Sequence, residues 1–473
     1  MVELPPMDIL FLTTELFPWV KVGGLADVAS ALPKALRGLG HRITVVMPKF
    51  PAFDDCGLFL ARRLTPISFG FGEEKREAVL YDTRLSSQVD LVLVECGETF
   101  RTESVYDDTP DAAHRFALFC RAAVAMAAAR PEPFDVIHAN DWPTALACTF
   151  AKDVGLTSRV VLTVHNVAHQ GIFPRDTLPR LGLAWDRFNL EGIEFYGKVN
   201  ILKQGIISSD AVATVSPSYA KQIVTEAGGH GLHGVLAEKK PAGILNGIDY
   251  AIWNPATDAN IPARFDPENT SHKLRCRTTL QRELGLAMDT EVPIVAFVGR
   301  LTPQKGADVL VEALPEILRS TEAQVVIAGE GDEKEVAVVQ AAATRFADRV
   351  VFARNASEAL VHRIFAGAAV VAVPSRFEPC GLVQMYAQRY GAVPVAHATG
   401  GLADTVVDAD RDLETGTGIL FEPLDAEHLT GAVQRALAAL GHPRFGAFVR
   451  RIMRLDRGWD RAARQYEKVY RTP

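Results

Sequence analysis

Lysine and glycine residues come together near the N-terminus, in the segment Lys21-Val22-Gly23-Gly24-Leu25-Ala26-Asp27. Glycine lets a backbone approach a ligand closely, and a helix N-terminus presents free N–H groups at the positive end of the helix dipole. The lysine adds a movable positive charge. The segment therefore suits a phosphate, although a turn followed by a helix cap explains paired glycines equally well. The letters Gly-Gly-Leu-Ala-Asp return at residues 400–404, which favours two related halves.

Two further cations lie on the loop Gly299-Arg300-Leu301-Thr302-Pro303-Gln304-Lys305-Gly306, between a predicted strand and a predicted helix. Arginine offers a planar fork of donors and lysine a point charge, and both suit a diphosphate. The alternative is a pair of solvated charges at a strand end. Because helix N-termini normally disfavour cations, we favour the phosphate interpretation.

The segment Ser375-Arg376-Phe377-Glu378-Pro379-Cys380-Gly381-Leu382 also joins a predicted strand to a predicted helix. Pro379 and Gly381 predict a tight turn. We expect Glu378 at the rim of a cleft, where a carboxylate can accept sugar hydroxyls or stabilise an oxocarbenium-like charge. A glutamate in a first helical turn also commonly just complements the dipole. Cys380 has no paired base, so we interpret it as a packed thiol.

Metal and cofactor motifs find little support in the sequence. His165 and His169 have the i, i+4 spacing of a helical zinc site, but they follow a strand and no third ligand is evident. Asp408-Ala409-Asp410 is a short match to a metal-carboxylate pattern, and we give it little weight. None of the glycine-containing segments described above reads GxGxxG, and no Walker lysine pattern occurs, which argues against a dehydrogenase or P-loop enzyme. We predict no metal and no cofactor.

The elements that must position these residues alternate between apolar strand-like runs and helical patterns, which is typical of mostly parallel sheets covered on both faces. Predicted strands occupy residues 8–12, 43–46, 89–94, 134–137, 159–164, 211–215, 293–298, 324–328, 350–352, 369–373 and 393–396. Ligands of open α/β sheets bind beyond the carboxyl ends of the strands. Polar segments follow these ends repeatedly, at residues 138–141, 165–166, 299–300, 329–331, 374–376 and 400–401.

We therefore predict an α/β protein of two doubly wound, Rossmann-like domains facing a central cleft. An Asn-, Asp- and Pro-rich stretch follows Ala242, where we place the domain boundary. The predicted domains span residues 1–242 and 243–457. Residues 458–473 present one apolar helical face, from Trp459 to Tyr470, that needs a surface to cover it.

Composition bounds the class of protein. The 473 residues exceed one compact core, and 50 basic against 57 acidic residues give no general attraction to nucleic acid or anionic membranes. The six cysteines form no CxxC pair, as in a protein of a reducing compartment. The N-terminus has no basic signal-peptide region, and no apolar run reaches the length of a membrane span. We expect a cytoplasmic protein.

Several segments together resemble bacterial glycogen synthase and plant starch synthase. They are residues 21–27, Asn140-Asp141-Trp142, Thr163-Val164-His165-Asn166, Leu245-Asn246-Gly247-Ile248-Asp249, Gly299-Arg300-Leu301, Gln304-Lys305-Gly306, residues 375–381 and residues 399–404. The resemblance covers nearly the whole chain, and its length favours the bacterial enzyme. It implies a GT-B fold and transfer of glucose from ADP-glucose to the non-reducing end of an α-1,4-glucan such as glycogen, with retention at the anomeric carbon.

The resemblance also implies roles for individual residues. Glu378, His165, Lys305 and Arg300 would be catalytic, with Arg300 and Lys305 holding the diphosphate. Substrate-binding positions would be Lys21, Gly23, Gly24, Asp27, Asp141, Asn166, Asn246, Cys380, Gly381 and Leu382. The N-terminal domain would serve the acceptor, the second domain the nucleotide sugar, and the last helix would return to the N-terminal domain. No carboxylate is clearly placed as a nucleophile, so we favour same-face attack through a short-lived ion pair.

Two positions depart from the family pattern, and three other functions stay open. Where the family usually has a tyrosine that stacks on adenine, this chain has Ala356, which leaves selectivity between ADP and UDP open. Val383 replaces a frequent threonine. The alternatives are a sucrose- or trehalose-type synthase using UDP-glucose, a GT-B epimerase, and a catalytically silent glucan-binding protein.

Overall fold

A computed structural model of the chain describes residues 5–102 and 104–472. The chain divides into two compact units, the first comprising Met1–Gly247 with Trp459–Pro473 and the second Ile248–Gly458. Ala242, the position of the predicted boundary, begins the last strand of unit 1, which pairs with its neighbour through Ala213 and Thr214. Within the described part of the chain, no helix has the length and apolar character needed to cross a membrane.

Unit 1 is built on a ten-stranded mixed sheet. Its strands, with those of a small accessory sheet, are β1 (Asp8–Leu12), β2 (Arg42–Pro48), β3 (Ala61–Arg62), β4 (Ile67–Phe71), β5 (Glu74–Arg84), β6 (Asp90–Glu95), β7 (Val136–Asn140), β8 (Arg159–Val164), β9 (Ile172–Phe173), β10 (Glu194–Phe195), β11 (Lys198–Asn200), β12 (Ala211–Thr214) and β13 (Ala242–Gly243). Its helices are α1 (Gly24–Gly38), α2 (Pro110–Ala128), α3 (Asp141–Asp153), α4 (Ile201–Ser208), α5 (Pro217–Gln222) and α6 (His233–Lys239).

The strands of the main sheet run in the order β13-β12-β8-β7-β1-β2-β6-β5-β3, and β4 pairs with β5. From β13 to β6 all pairs are parallel. Every residue of β1 and β7 is buried, as expected for central strands covered on both faces. Leu12 lies opposite Val46 of β2 and Ala139 of β7, so the carboxyl ends of these strands meet at one edge.

The antiparallel edge formed by β3, β4 and β5 was missed in the sequence. The amino-terminal part of β5 carries the charged, exposed residues Glu74, Lys75, Arg76 and Glu77, and no continuous apolar run marks it. Charged side chains are a usual protection of edge strands against further pairing. A second small sheet, in the order β10-β11-β9, lies between β8 and α4 in the sequence.

Unit 2 contains a six-stranded parallel sheet in the order β16-β15-β14-β17-β18-β19. Its strands are β14 (Ile294–Val298), β15 (Gln324–Gly329), β16 (Val350–Arg354), β17 (Val370–Val373), β18 (Val393–His397) and β19 (Ile419–Phe421). Its helices are α7 (His272–Glu283), α8 (Ala307–Ser320), α9 (Glu333–Arg345), α10 (Glu358–Gly367), α11 (Val383–Arg389), α12 (Gly400–Thr405), α13 (Ala426–Ala439) and α14 (Phe445–Met453). The alternation of strand and helix places one apolar core on the sheet, as the sequence predicts.

The last helix, α15 (Trp459–Arg471), belongs to unit 1 and packs against α1. Its buried face includes Trp459, Tyr466 and Tyr470. The hydroxyl of Tyr470 lies 2.8 Å from Nδ1 of His138, a fully buried residue of β7. Burial lowers the pKa of His138 to about 3, so the imidazole is neutral and needs such a partner.

Candidate functional site

His165 is held in a defined orientation at the carboxyl end of β8. The side-chain NH2 group of Asn140 donates to the carbonyl oxygen of Leu12 at 2.9 Å, so the side-chain oxygen of Asn140 can accept a hydrogen bond. Nε2 of His165 lies 2.9 Å from that oxygen, so Nε2 carries the proton and Nδ1 keeps a lone pair. Burial lowers the pKa of His165 to about 3. The side chain is therefore a neutral imidazole at physiological pH.

Asp141 fixes the backbone that carries His165. It stands at the start of α3 with φ +56°, a conformation that aspartate tolerates better than most residues. Its Oδ1 accepts the N–H of His165 at 2.7 Å. Burial raises the pKa of Asp141 to about 7, although backbone N–H donors at His165 and Asn166 act in the opposite direction. Asp141, His165 and Asn166, which are assigned to the site by resemblance, thus form one hydrogen-bonded group.

The lysine–glycine segment lies after the end of β1 in the same unit. Nζ of Lys21 is 3.5 Å from Oδ1 of Asp27 and 4.9 Å from the ring centroid of Phe17. The N–H groups of Val22 and Gly23 donate to Oε2 of Glu15 at 2.8 and 2.7 Å. Two backbone donors that could have faced a phosphate are therefore engaged by a carboxylate.

In unit 2, Lys305 and Glu378 form an ion pair. Nζ of Lys305 donates to both carboxylate oxygens of Glu378, at 2.9 and 2.7 Å. The hydroxyl of Ser375 donates to one of them at 2.9 Å. The carboxylate of Glu378, which the sequence predicts at the rim of a cleft, is buried within unit 2 at 6% exposure. The lysine expected to hold a diphosphate also neutralises this acid.

The cationic loop of residues 299–306 packs against the segment that carries Glu378. The N–H of Arg376 donates to the carbonyl of Gln304 at 2.8 Å. Gly306 has φ +69°, and a Cβ there would lie 1.9 Å from the carbonyl oxygen of Pro374. Only glycine allows this approach. Arg300 is exposed on the same loop, two residues after the end of β14.

The second Gly-Gly-Leu-Ala-Asp copy supports the same segment from another side. The N–H of Gly401 donates to the carbonyl of Glu378 at 2.9 Å. A Cβ on Gly401 would lie 2.3 Å from Cα and from the carbonyl oxygen of Cys380. Gly381 has φ +76°, and α11 begins two residues later, after Leu382. The thiol-bearing Cys380 is buried, as expected for a packed residue.

Asn246 and the rejected metal positions complete the candidate residues. Asn246 is buried in unit 1, and its Oδ1 receives no hydrogen bond from any described residue. Such a group usually has a partner, which a ligand can supply. Asp408 and Asp410 hydrogen-bond to neighbouring residues at the surface. Residues 5–102 and 104–472 contain no cluster of three or more His, Cys, Asp or Glu side chains placed to hold a metal ion.

Glu15 and Tyr106 are the site residues that the sequence did not reveal. The hydroxyl of Tyr106 donates to Oε1 of Glu15 at 2.9 Å. The only signal available was an acid three residues after β1 and before a lysine–glycine segment. Tyr106 lies 91 positions away in the sequence, and nothing local connects the two residues.

The fold and these residues define a class of protein: a GT-B glycosyltransferase with two Rossmann-like domains. Residues 8–238 match the family described as the starch synthase catalytic domain, and residues 284–440 match glycosyl transferases group 1. The chain belongs to the family of bacterial glycogen synthases and starch synthases. The predicted fold class and family are thereby confirmed.

Similarity to individual members extends over the full length. A glycogen synthase of Anaeromyxobacter sp. (strain Fw109-5) is 42% identical, covering 98% of this chain and 99% of the relative. Glycogen synthase 1 of Methylococcus capsulatus (strain ATCC 33009 / NCIMB 11132 / Bath) is 40% identical over 98% of this chain and 96% of its own. The catalytic domain of starch synthase IV from Arabidopsis thaliana, bound to ADP and acarbose, superposes with a TM-score of 0.92 at 31% identity, covering 98% and 99% of the two chains.

Proposed function

We propose that this protein is a retaining glucosyltransferase that moves glucose from ADP-glucose to the non-reducing end of an α-1,4-glucan, in the synthesis of glycogen. The observation that carries the proposal is the full-length identity of 42% to a glycogen synthase, together with a chain that keeps both lysine segments and Glu378. The ADP in the superposed starch synthase structure supports an adenine nucleotide as the donor.

The cations would act on the leaving nucleotide. When the bond between the anomeric carbon and the diphosphate breaks, negative charge grows on the phosphate oxygens. Lys21, Arg300 and Lys305 would stabilise this charge, and such preorganised stabilisation is usually the largest single contribution to catalysis. Before the donor binds, the positive charge of Lys305 is partly neutralised by Glu378. If the carboxylate turned to the glucose hydroxyls, Lys305 would interact more strongly with the diphosphate.

The remaining site residues would bind the hexose. The N–H groups of Cys380, Gly381 and Leu382, with the carboxylate of Glu378, would bind glucose hydroxyls. His165, with Asn166 beside it, would face the sugar as a neutral imidazole, which avoids repulsion of the positive charge that grows at the anomeric carbon. Gly23, Gly24, Asp27, Asp141 and Asn246 would complete the substrate-binding set.

The acceptor hydroxyl would attack on the face that the diphosphate leaves. The C–O bond to the diphosphate breaks first, giving a short-lived ion pair. The acceptor oxygen then bonds to the anomeric carbon, and its proton passes to a leaving phosphate oxygen. Configuration is retained because both events use one face, and no protein nucleophile is required.

The charge assignment is tested by Lys21→Ala and Arg300→Ala. Removing one of three cations that act mainly in the transition state should lower kcat by about 100-fold, the size of effect typical for a single oxyanion-stabilising donor. ADP release from ADP-glucose with glycogen gives the rate. Activity within about threefold of wild type in either variant would contradict the assignment.

The choice of base is tested by a donor comparison. Ala356 offers no aromatic ring for stacking, which favours some use of UDP-glucose as well. Ala356→Tyr should therefore raise the ratio of kcat/KM for ADP-glucose over UDP-glucose by about three- to tenfold, as expected for one aromatic stacking contact. An unchanged ratio would show that Ala356 does not face the base. Donor consumption without any acceptor would instead indicate an epimerase.

A further inference from the structure

Glu15 is a buried acid that belongs to no part of the mechanism above. It is 4% exposed and stands three residues after β1. A buried carboxylate is unfavourable unless hydrogen bonds compensate its lost hydration. Here Oε2 accepts the N–H groups of Val22 and Gly23, and Oε1 accepts the hydroxyl of Tyr106. Two consecutive backbone N–H groups therefore donate to the same carboxylate oxygen.

These contacts fix the peptide planes on either side of Val22. Gly23 is the N-cap of α1, and no side chain caps the helix from that position. Glu15 accepts the N–H of this N-cap residue and of the residue before it, and these bonds hold the segment in one conformation. Lys21 is the residue before Val22. Because the peptide between them is fixed by the bond from the Val22 N–H to Glu15, the backbone from which the Lys21 side chain extends is fixed as well.

Tyr106 holds the carboxylate in turn. Its hydroxyl donates to Glu15 and lies 2.8 Å from Oγ1 of Thr14. Burial, and then the negative charge of Glu15, raise the pKa of Tyr106 well above its ordinary value, so the hydroxyl keeps its proton. The rotation of the Glu15 side chain is thus restricted at both oxygens.

We propose that Glu15, secured by Tyr106, is a positioning residue that orients the Lys21 segment toward the diphosphate of the donor. The inference rests on the proposed function, in which Lys21 stabilises the leaving nucleotide. Glu15 itself touches no substrate; its effect on the rate passes through Lys21. A residue with a purely structural role would instead change stability and rate independently of Lys21.

The kinetic test uses the full chain with ADP-glucose and glycogen, and compares Glu15→Ala, Lys21→Ala and the double variant. Glu15→Ala should lower kcat by about 30-fold, with the KM for glycogen unchanged, because a contact made chiefly in the transition state is lost. The double variant should be no slower than Lys21→Ala alone, since coupled residues are not additive. If kcat in the double variant fell by the product of the two single-variant factors, the proposal would be overturned.

Two further variants test whether Glu15 acts by accepting hydrogen bonds. In Glu15→Gln the amide oxygen can still accept both N–H groups, so kcat should stay within about fivefold of wild type. Glu98→Ala is the matched control, because Glu98 is 85% exposed and pairs only with Arg101 among described residues. It should behave as wild type. Glu15→Gln as slow as Glu15→Ala would contradict a positioning role based on accepted hydrogen bonds.

Hydrogen exchange tests the clamp, meaning the two hydrogen bonds that Glu15 accepts from Val22 and Gly23, without a measurement of activity. In a peptide covering residues 16–25, Glu15→Ala should speed exchange of the Val22 and Gly23 amides by about tenfold or more, the effect of losing a hydrogen bond to a charged group. If wild type releases no ADP but exchange still changes, the proposed function fails and the clamp survives. Unchanged exchange overturns the clamp.

Tyr106→Phe covers the case in which Glu15→Ala does not fold. It removes one of the bonds to Glu15 and leaves the ring in place, so kcat should fall by about threefold, with faster exchange at Val22. Wild-type values of both quantities in Tyr106→Phe would overturn the proposal.

Discussion

A methyl group on Gly401 should disturb the segment that carries Glu378 although position 401 makes no proposed contact with substrate. A Cβ at this position would lie 2.3 Å from Cα and O of Cys380 and 2.6 Å from its carbonyl carbon. Carbon atoms in contact prefer about 3.5–4.0 Å, so the backbone around Cys380 must move by about 1 Å in Gly401→Ala. Neither partner can relieve the contact by rotating a side chain, because the atoms that meet Cβ belong to backbone.

This displacement has a cost in stability and a larger cost in rate. Overpacking of a buried position typically lowers the free energy of unfolding by about 1–3 kcal/mol. A misplacement of about 1 Å in a catalytic group can lower the rate by about 100-fold. We expect kcat/KM for ADP-glucose in Gly401→Ala to fall by about 30- to 100-fold, while urea denaturation shows the smaller loss of stability.

Gly431→Ala is the matched control. Gly431 is an exposed residue inside α13, and a Cβ there would meet no atom within 4 Å. Alanine in an exposed helix interior is more stable than glycine by up to about 1 kcal/mol, so the control should be slightly stabilised and fully active. Gly401→Ala with kcat/KM within about threefold of Gly431→Ala would refute the reasoning that the glycine is required for this close packing.

Two further predictions concern unit 1. The folded pKa of Asp141, about 7, exceeds its unfolded value, so its stabilising contribution is full below pH 4 and is lost as the pH rises through 7. Asp141→Asn should therefore gain stability relative to wild type between pH 5 and pH 8 in urea denaturation; a difference independent of pH would contradict the shift. Tyr470→Phe leaves Nδ1 of the buried His138 without its partner and should lower the free energy of unfolding by about 1–3 kcal/mol. Tyr196→Phe, at an 81% exposed residue, should change it by less than about 0.5 kcal/mol, and equal effects in the two variants would argue against the His138 contact.

Local sequence patterns were sufficient to predict the central strands of the two sheets. The apolar run of residues 8–12 forms β1 over the same residues, and the predicted strand of residues 159–164 is β8, Arg159–Val164. Burial on both faces makes such strands read as continuous apolar runs, which periodicity detects. The exposed strand β5 carries no such signal, because its stability comes from pairing with β6 at the edge of the sheet.

The partners of the charged site residues could not be read in the same way. Lys305 and Glu378 are separated by 73 positions, and Glu15 and Tyr106 by 91. The sequence therefore assigned separate roles to a lysine and a glutamate that share one ion pair. A pattern of residue types predicts which loops meet at a sheet edge, but not which side chain neutralises which.

Each unit stabilises a buried glutamate with hydrogen-bond donors from a loop that carries a lysine. Glu15 follows β1 and Glu378 follows β17, and each is almost fully buried. Burying a carboxylate costs several kcal/mol unless it is paired or hydrogen-bonded, so each acid determines the conformation of the loop that supplies its donors. For Glu15 the donors are backbone N–H groups beside Lys21, and for Glu378 the donor is Lys305 itself. In both units an unfavourable burial of negative charge therefore fixes a loop that carries a lysine. We infer that replacing either acid changes the orientation of the neighbouring cation before it changes any contact with substrate.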